Sequence, residues 1–494
     1  MNPFLCTDAY KIGHHKMYPE GTELVYSNFT PRSNKYAPKG CDKLVVFGTQ
    51  MVMRQIFSLF EEEFFELPKE QVIAEIKKEY ELYLGCSYNA DHIAELHDFG
   101  YLPIKVKSLP EGSRSPMGVP VLTVYNTEPQ FYWLTNFLET LISNLLWKPM
   151  TSATLAYQYK QLLTERARRT DQENLSFVAF QAHDFSMRGL DSLSATVSSG
   201  LGHATSFLGS DSLPVISGAR EFYYERLAVI HGVNATEHSV MCAGTKDDEI
   251  GTFRYLMEQF PTGILSIVSD TWDLWKVLTN ILPQLKEEIL ARDGKIVIRP
   301  DSGDPVDIIC GNLNTLEEAN RVKEKCLPEN LGVIELLWDV FGGTVNDQGY
   351  KVLDPHIGAI YGDSITLERA EQIFDRLEAK GFASTNIVLG VGSFTYQFNT
   401  RDTFGFAMKA TYVEVDGEGR EIFKDPITDD GTKKSAKGLL CVGQEDGEYI
   451  LQDQVDWTGG EDGASENSGK LQTIFEDGEF KNLITLKEIR AKLA

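Results

Sequence analysis

Asp211 closes the segment Phe207-Leu208-Gly209-Ser210-Asp211-Ser212, and it is one of a series of charged or histidine residues that end apolar runs along the middle of the chain. Residues 176–182 lead into His183-Asp184-Phe185, and Ala235-Thr236-Glu237 leads into His238. Residues 264–269 lead into Asp270, and residues 295–298 into Arg299-Pro300-Asp301-Ser302-Gly303. Residues 356–361 lead into Gly362-Asp363, and residues 387–389 into Gly390-Val391-Gly392-Ser393. An arginine can grip phosphate oxygens with two parallel hydrogen bonds. An aspartate two residues on can accept from the vicinal hydroxyls of a sugar. A Ser-Gly turn exposes backbone N–H groups to an anion. A histidine in acidic company can be a general base, a metal ligand or a nucleophile.

Each motif also has a structural reading. Arg299 and Asp301 could form a local ion pair at a strand end. The Gly390-Val391-Gly392-Ser393 run could be a tight turn, or small residues that let amides approach a phosphate. His238 could be a hydrogen-bonded structural residue, and Asp270 could orient it. A metal-dependent hydrolase barrel usually carries an HxH pair and further histidine ligands. The chain has no such pair and only nine histidines. Lys424, Lys433, Lys434 and Lys437 are basic residues in an acidic chain, suited to a phosphate clamp or to a solvated loop.

The elements that must carry these residues follow from their spacing. The separations are mostly about 26 to 32 residues, which suits one strand and one returning helix in a (β/α)8-type barrel, whose active site lies at the carboxyl ends of the strands. The barrel is expected over residues 151–398. Before it, residues 1–150 combine a turn-rich start, helical stripes over 50–84, paired strands over 102–106 and 120–125, and a long apolar helix over 131–147. After it, residues 399–494 hold antiparallel strands over 406–415 and 448–451, a loop-like connector at 459–463 and an amphipathic stretch over 483–493. The two flanking segments are expected to pack together as one β-rich α+β domain.

With 494 residues, 42% apolar and 24% charged, the chain has the makings of an ordinary globular protein of two or three domains. A formal net charge of −25 argues against non-specific binding to nucleic acid or to anionic membrane. The seven cysteines are scattered and form no CxxC, so neither a disulfide framework nor a zinc site is expected. No long apolar segment and no signal-like N-terminus occur, and a cytoplasmic protein is expected.

Taken in order, the motifs resemble the nicotinamide phosphoribosyltransferases, which are type II phosphoribosyltransferases. The resemblance spans the chain, from Thr7-Asp8-Ala9-Tyr10-Lys11 and Tyr132-Trp133-Leu134-Thr135-Asn136 through His183-Asp184-Phe185-Ser186-Met187-Arg188-Gly189, Gly209-Ser210-Asp211, Glu237-His238-Ser239 and Val268-Ser269-Asp270. It continues through Ile298-Arg299-Pro300-Asp301-Ser302-Gly303, Gly362-Asp363, Thr400-Arg401-Asp402 and Phe423-Lys424-Asp425-Pro426. It implies synthesis of nicotinamide mononucleotide and pyrophosphate from nicotinamide and phosphoribosyl pyrophosphate, a step of NAD salvage. It also implies Mg2+ and an enhancement by ATP through a phosphorylated histidine, here His238, oriented by Asp270.

By the same resemblance, Phe185 stacks one face of the pyridine ring, and Tyr10 of a second subunit stacks the other. The active enzyme is then a homodimer with shared sites. Asp211 accepts from the carboxamide. Arg188, Arg299, Gly362, Asp363, Gly392 and Ser393 are substrate-binding residues, most of them at the ribose and 5′-phosphate, and Asp301, also at the ribose, is catalytic with His238 and Asp270. Arg32, Arg401, Lys409, Lys424 and Lys433 reach pyrophosphate or ATP phosphates. The glycine loop is less glycine-rich than the family's, and the loop before Lys433 is about one residue longer. The metal ligands are not identified. Two rival readings are a nicotinate or quinolinate phosphoribosyltransferase on the same barrel, and a non-catalytic relative. An acid at Asp211 would repel a ring carboxylate and favours the amide.

Overall fold

The computed structural model describes residues 1–313, 327–424, 436–457 and 465–494. The chain divides into two compact units, one made of residues 155–217 and 227–398, the other of residues 1–154, 218–226 and 399–494.

The first unit is the barrel. Its sheet has seven strands in the order Gly209–Ser210, Ala182–Asp184, Ile387–Val391, Ile357–Tyr361, Asp293–Arg299, Thr262–Val268, Asn234–Ala235. All adjacent pairs are parallel. A parallel bridge joins Gly209 in the first of these strands to His231, three residues ahead of Asn234 in the last. The barrel type expected from the strand–helix spacing is present as a curled parallel sheet, with seven strands among the described residues against the eight of the ideal form.

Alternation sets the two faces. Along Asp293–Arg299, Ile296 and Ile298 are wholly buried against the outer helices, whereas Lys295, Val297 and Arg299 face the interior. The helix Leu367–Ala379 shows the complementary pattern. Its buried residues Ala370, Ile373, Phe374 and Leu377 form one stripe, and Thr366 caps its start by accepting from the Arg369 N–H. Each such large apolar side chain stabilises the fold by roughly 1.5–3 kcal/mol.

One apolar run differs from expectation. Residues 176–182 do not form a strand: Gln172–Phe177 and Val178–Gln181 are helical, and only Ala182–Asp184 is extended. Helical spacing puts Phe177 and Phe180 on one face, and both line the barrel cavity.

The second unit is the β-rich domain built from both ends of the chain. Its antiparallel sheet runs in the order Glu418–Glu421, Ala407–Val415, Thr22–Thr30, Leu122–Asn126, Ile104–Ser108, Gln472–Glu476, Glu479–Phe480. Strands from the N-terminal segment occupy its centre, and strands from the C-terminal segment flank them. The expected apolar helix is longer than its sequence signal: Tyr132–Thr170 runs for 39 residues through Pro149, and the boundary between the units falls inside it. The chain ends in the helix Leu486–Lys492, started by a capping box between Thr485 and Glu488.

Candidate active site

Parallel register brings the motif residues of the barrel to one rim. Arg299 pairs with Val268, Tyr361 with Leu389, and Val391 with Asp184, which pairs in turn with Ser210. Asp270, Asp301, Gly362, Asp363, Gly392, Phe185 and Asp211 therefore all follow the carboxyl ends of neighbouring strands.

Asp211 and Phe185 form one part of the site. His183 Nε2 lies 2.8 Å from Asp211 Oδ1. Asp211 is half-exposed, and its Oδ2 has no hydrogen-bond partner among the described residues. The Phe185 ring sits 4.7 Å from the His183 ring, and the Arg299 guanidinium lies 5.6 Å from the Phe185 ring centre. Gly390 makes room for that ring, since a Cβ there would meet Phe185 Cδ2 at 2.8 Å. These groups open into a cavity of about 530 Å³ inside the barrel, lined mainly by apolar side chains such as Phe177, Phe180, Ile264 and Val388. An aromatic face beside an open carboxylate oxygen can hold a flat ring that bears an N–H donor.

Arg299 and Asp301 form the second part. The guanidinium makes a fork with the carboxylate, Nε to Oδ1 at 3.3 Å and Nη2 to Oδ2 at 3.2 Å. The local ion pair is present, and it sits against Gly362, where a Cβ would fall 2.0 Å from Asp301 Oδ1. Asp270 is almost wholly buried. Its Oδ2 accepts from the Asp301 and Ser302 N–H groups at 2.9 and 2.8 Å and from the Ser302 hydroxyl at 2.6 Å. It therefore fixes the loop that carries Asp301.

His238 stands half-exposed at the start of the helix His238–Ala243. Its Nδ1 is 3.1 Å from the Thr271 hydroxyl, and its Nε2 is 3.9 Å from Asp270 Oδ1. That is beyond a hydrogen bond, and Asp270 Oδ1 is left buried without a partner. Asp270 thus faces His238 without gripping it.

The remaining barrel candidates line the same rim. Asp363 is exposed and accepts from the Ser364 hydroxyl at 3.0 Å. Gly392 is open on the side of Asp363, and Ser393 packs on Gly189. Arg188, in the turn Met187–Gly189, is exposed and has no ion-pair partner among the described residues.

The sequence reading missed the group beneath the rim. Asp184 is wholly buried. Its Oδ1 accepts from the Ser186 N–H and hydroxyl, and its Oδ2 from the Ser210 hydroxyl at 3.1 Å. This carboxylate ties two adjacent strands together below Phe185 and Asp211. His203 lies near it, held between the Tyr396 hydroxyl at 2.6 Å and the Gly209 carbonyl at 3.1 Å. Burial pushes the His203 imidazole down to about 4, so it is neutral near pH 7. The signal for Asp184 was its place in His183-Asp184-Phe185, but one sequence does not tell a buried carboxylate from a substrate-facing one.

The other unit gathers a second set. Asn28 pairs with Lys409, and Arg32 N–H donates to the Phe404 carbonyl, so Arg32 and Lys409 come to the same end of one strand pair. Loss of solvation lowers the Lys409 pKa, and the positive charges of Arg32, Lys424 and Arg401 add to the effect. Arg32 also donates to the Gly405 carbonyl at 2.9 Å, and Arg401 to Asp402. This is a cationic cluster in an acidic chain, suited to phosphate oxygens. Lys433, Lys434 and Asp425 lie outside the described residues, as does the whole connector 459–463.

Tyr10 is 65% exposed on the turn Ala9–Lys16. That turn is pinned by Lys11, whose amine pairs with Glu139 at 2.8 Å, and by His14, whose Nδ1 is 2.6 Å from Asn136 Oδ1.

No group of three or more His, Cys, Asp or Glu side chains that could hold a metal occurs among the described residues. Mg2+ commonly binds through one or two carboxylates and the phosphates of a substrate. The separate rim carboxylates Asp301 and Asp363 fit that mode rather than a cage made by the protein alone.

Known proteins can be set against this geometry. The family model for the nicotinate phosphoribosyltransferase (NAPRTase) family matches residues 180–479. This chain belongs to that family. The model for the nicotinamide phosphoribosyltransferase N-terminal domain matches residues 2–106. A nicotinamide phosphoribosyltransferase of Acinetobacter baylyi is 49% identical, over 100% of this chain and 97% of that protein. Proteins of the same name from Mycoplasma pneumoniae and Xanthomonas campestris are 36% and 32% identical, over 88% and 99% of this chain and 94% and 97% of theirs.

The fold is shared with two solved structures at 16% identity. Human nicotinic acid phosphoribosyltransferase has a TM-score of 0.55 over 99% of this chain and 93% of that one. Nicotinate-nucleotide pyrophosphorylase from Pyrococcus furiosus has a TM-score of 0.53 over 99% and 94%. Membership of the family makes the chain a phosphoribosyltransferase.

Proposed function

We propose that this family member joins nicotinamide to phosphoribosyl pyrophosphate, giving nicotinamide mononucleotide and pyrophosphate. The observation that carries the choice of base is Asp211: a carboxylate beside the Phe185 ring, one oxygen near His183 and the other open. A carboxamide N–H finds an acceptor there. A ring carboxylate meets like charge. The identity and coverage of the nicotinamide phosphoribosyltransferases support the same reading.

In the reaction the pyridine nitrogen attacks the anomeric carbon as its bond to the pyrophosphate oxygen breaks. The ribosyl group takes on oxocarbenium character, as in glycoside chemistry. In this reading Phe185 places the ring, which lowers the entropic cost of attack. Arg299 holds phosphate, and Asp301 and Asp363 face the ribose and its developing positive charge. Asp301 and Asp363, with the phosphates of the substrate, would hold Mg2+, which would supply screening of the leaving charge. Arg32, Lys409, Arg401, Lys424 and Lys433 bind the pyrophosphate or ATP phosphates from a second copy, and Tyr10 of that copy covers the free face of the ring. The active form is then a homodimer. His238, with its half-exposed ring and a nearby unpartnered Asp270 oxygen, would take the γ-phosphoryl group of ATP on a ring nitrogen with release of ADP. The scattered cysteines support a reducing, cytoplasmic setting.

The test is turnover with phosphoribosyl pyrophosphate and either nicotinamide or nicotinate, with products identified by mass. Nicotinamide mononucleotide is expected as the dominant product. Equal or greater formation of the nicotinate nucleotide would replace this reading with the acid-using one. For His238, label from γ-32P-ATP is expected as an acid-labile, base-stable adduct that Ala at this position removes.

A further inference from the structure

His203 lies wholly buried beneath the rim, at the last turn of the helix Leu193–Ala204, with its ring stacked on Phe207 at 5.1 Å. A carbonyl can only accept, so the contact with the Gly209 carbonyl at 3.1 Å puts a proton on Nε2. Burial keeps the ring neutral near pH 7, which leaves Nδ1 as an acceptor for the Tyr396 hydroxyl at 2.6 Å. Both nitrogens of one ring are therefore engaged, each in a directional bond.

The two partners belong to different halves of the site. Gly209 opens the strand Gly209–Ser210, which delivers Asp211. Tyr396 ends the short helix Ser393–Tyr396, which starts directly after Gly392. Its neighbour Thr395 shares a hydrogen bond with the Tyr159 hydroxyl at 3.0 Å and reaches the Ile365 carbonyl at 3.3 Å, two residues after Asp363. Gly209–Ser210 and Ile387–Val391, the strand that leads to Gly392, are not neighbours in the sheet, because Ala182–Asp184 lies between them. His203 spans that gap.

We infer that His203 is a positioning residue for the transfer: it holds the base-side strand end and the phosphate-side turn in one fixed relation, so that the pyridine nitrogen faces the anomeric carbon. The inference rests on the rim site of the proposed function and is the same for either pyridine base. A shift of order 1 Å between the two halves leaves each set of binding contacts intact and still costs about a hundredfold in rate. The loss of His203 therefore falls on kcat and not on the binding of either substrate alone.

The experiment measures kcat per folded molecule, and by calorimetry the binding of pyridine base alone and of phosphoribosyl pyrophosphate alone. The base is whichever of nicotinamide and nicotinate the wild type converts, so the choice of base stands or falls on its own test. His203→Phe removes both bonds, and Tyr396→Phe removes one with almost no change of volume. Each should lower kcat about tenfold or more and change either dissociation constant less than about threefold. His203→Gln, which offers both a donor and an acceptor, should keep more of kcat than His203→Phe. The double variant His203→Phe with Tyr396→Phe should lose no more than His203→Phe alone, because the Tyr396 bond is already gone. Wild-type kcat with a lowered melting temperature would make the network merely structural and overturn the proposal. Losses that multiply in the double variant, or a loss carried by weaker binding of one substrate alone, would also overturn it. If His203→Phe does not fold, Tyr396→Phe decides, and an unchanged kcat in that variant overturns the proposal.

Discussion

The spacing of a few atoms decides what the rim can bind. Gly362 has no side chain because Asp301 Oδ1 occupies the place where a Cβ would go, 2.0 Å away. Gly362→Ala must push Asp301 off the Arg299 fork. The substitution lies at the surface of the rim, so folding should survive, while KM for phosphoribosyl pyrophosphate should rise about tenfold or more, the loss of one charge-assisted contact of about 1.5–3 kcal/mol. Steady-state kinetics with near-wild-type melting would bear this out, and an unchanged KM would remove the Arg299–Asp301 pair from substrate binding. At this scale the sequence was informative about identity and poor about partners. Arg299-Pro300-Asp301-Ser302-Gly303 is readable as a charged turn. That Ser302 and the Asp301 N–H bind Asp270 is not readable, because the two segments meet only through strand register. The His183 contact to Asp211 was hidden for the same reason.

Elements position the residues, and Asp184 is the point where two of them are tied. The carboxylate accepts from Ser186 on its own strand end and from Ser210 on the neighbouring strand. Asp184→Ala leaves those donors buried and unpaired, which should cost about 3 kcal/mol of stability. Chemical denaturation of the two proteins measures this directly, and a change under 1 kcal/mol would contradict the structural role. The strand ends themselves were legible because apolar runs of strand length stopped at polar residues at regular intervals. The run at 176–182 misled because a buried helical turn and a buried strand share the same composition, and only the spacing of Phe177 and Phe180 separates them. The long helix Tyr132–Thr170 outran its apolar signal because its second half turns polar on one side.

At the scale of the whole molecule, the interleaved β-rich domain was expected from the change of composition after Arg401, but the pairing of Thr22–Thr30 with Ala407–Val415 rests on contacts hundreds of residues apart in sequence. In that domain His92 stacks on His15 at 3.8 Å, and Trp133 meets it edge-on. Burial first, then the nearby His15 and Lys16, hold His92 down at about 3 against an ordinary 6.5. As pH falls below about 6.5, the unfolded chain takes up this proton while the folded one does not. Stability is therefore lost progressively down to about pH 3, by roughly 2 kcal/mol at pH 5. Melting at pH 7 and pH 5 should show the loss in the wild type and a smaller one in His92→Phe; equal losses would assign the acid sensitivity elsewhere. The proposed homodimer has its own check. Tyr10→Ala and Phe185→Ala chains, each inactive alone, should regain activity when subunits exchange, because both defects fall in one of the two sites. No recovery after verified exchange would contradict a shared site.

Asp211 is expected to select the amide over the acid, and one ratio tests it. It is kcat/KM for nicotinamide divided by kcat/KM for nicotinate, measured for the wild type and for Asp211→Asn. A charge-assisted bond of about 1.5–3 kcal/mol predicts that the ratio falls roughly 10- to 100-fold in the variant. An unchanged ratio in a folded, active variant would contradict the account.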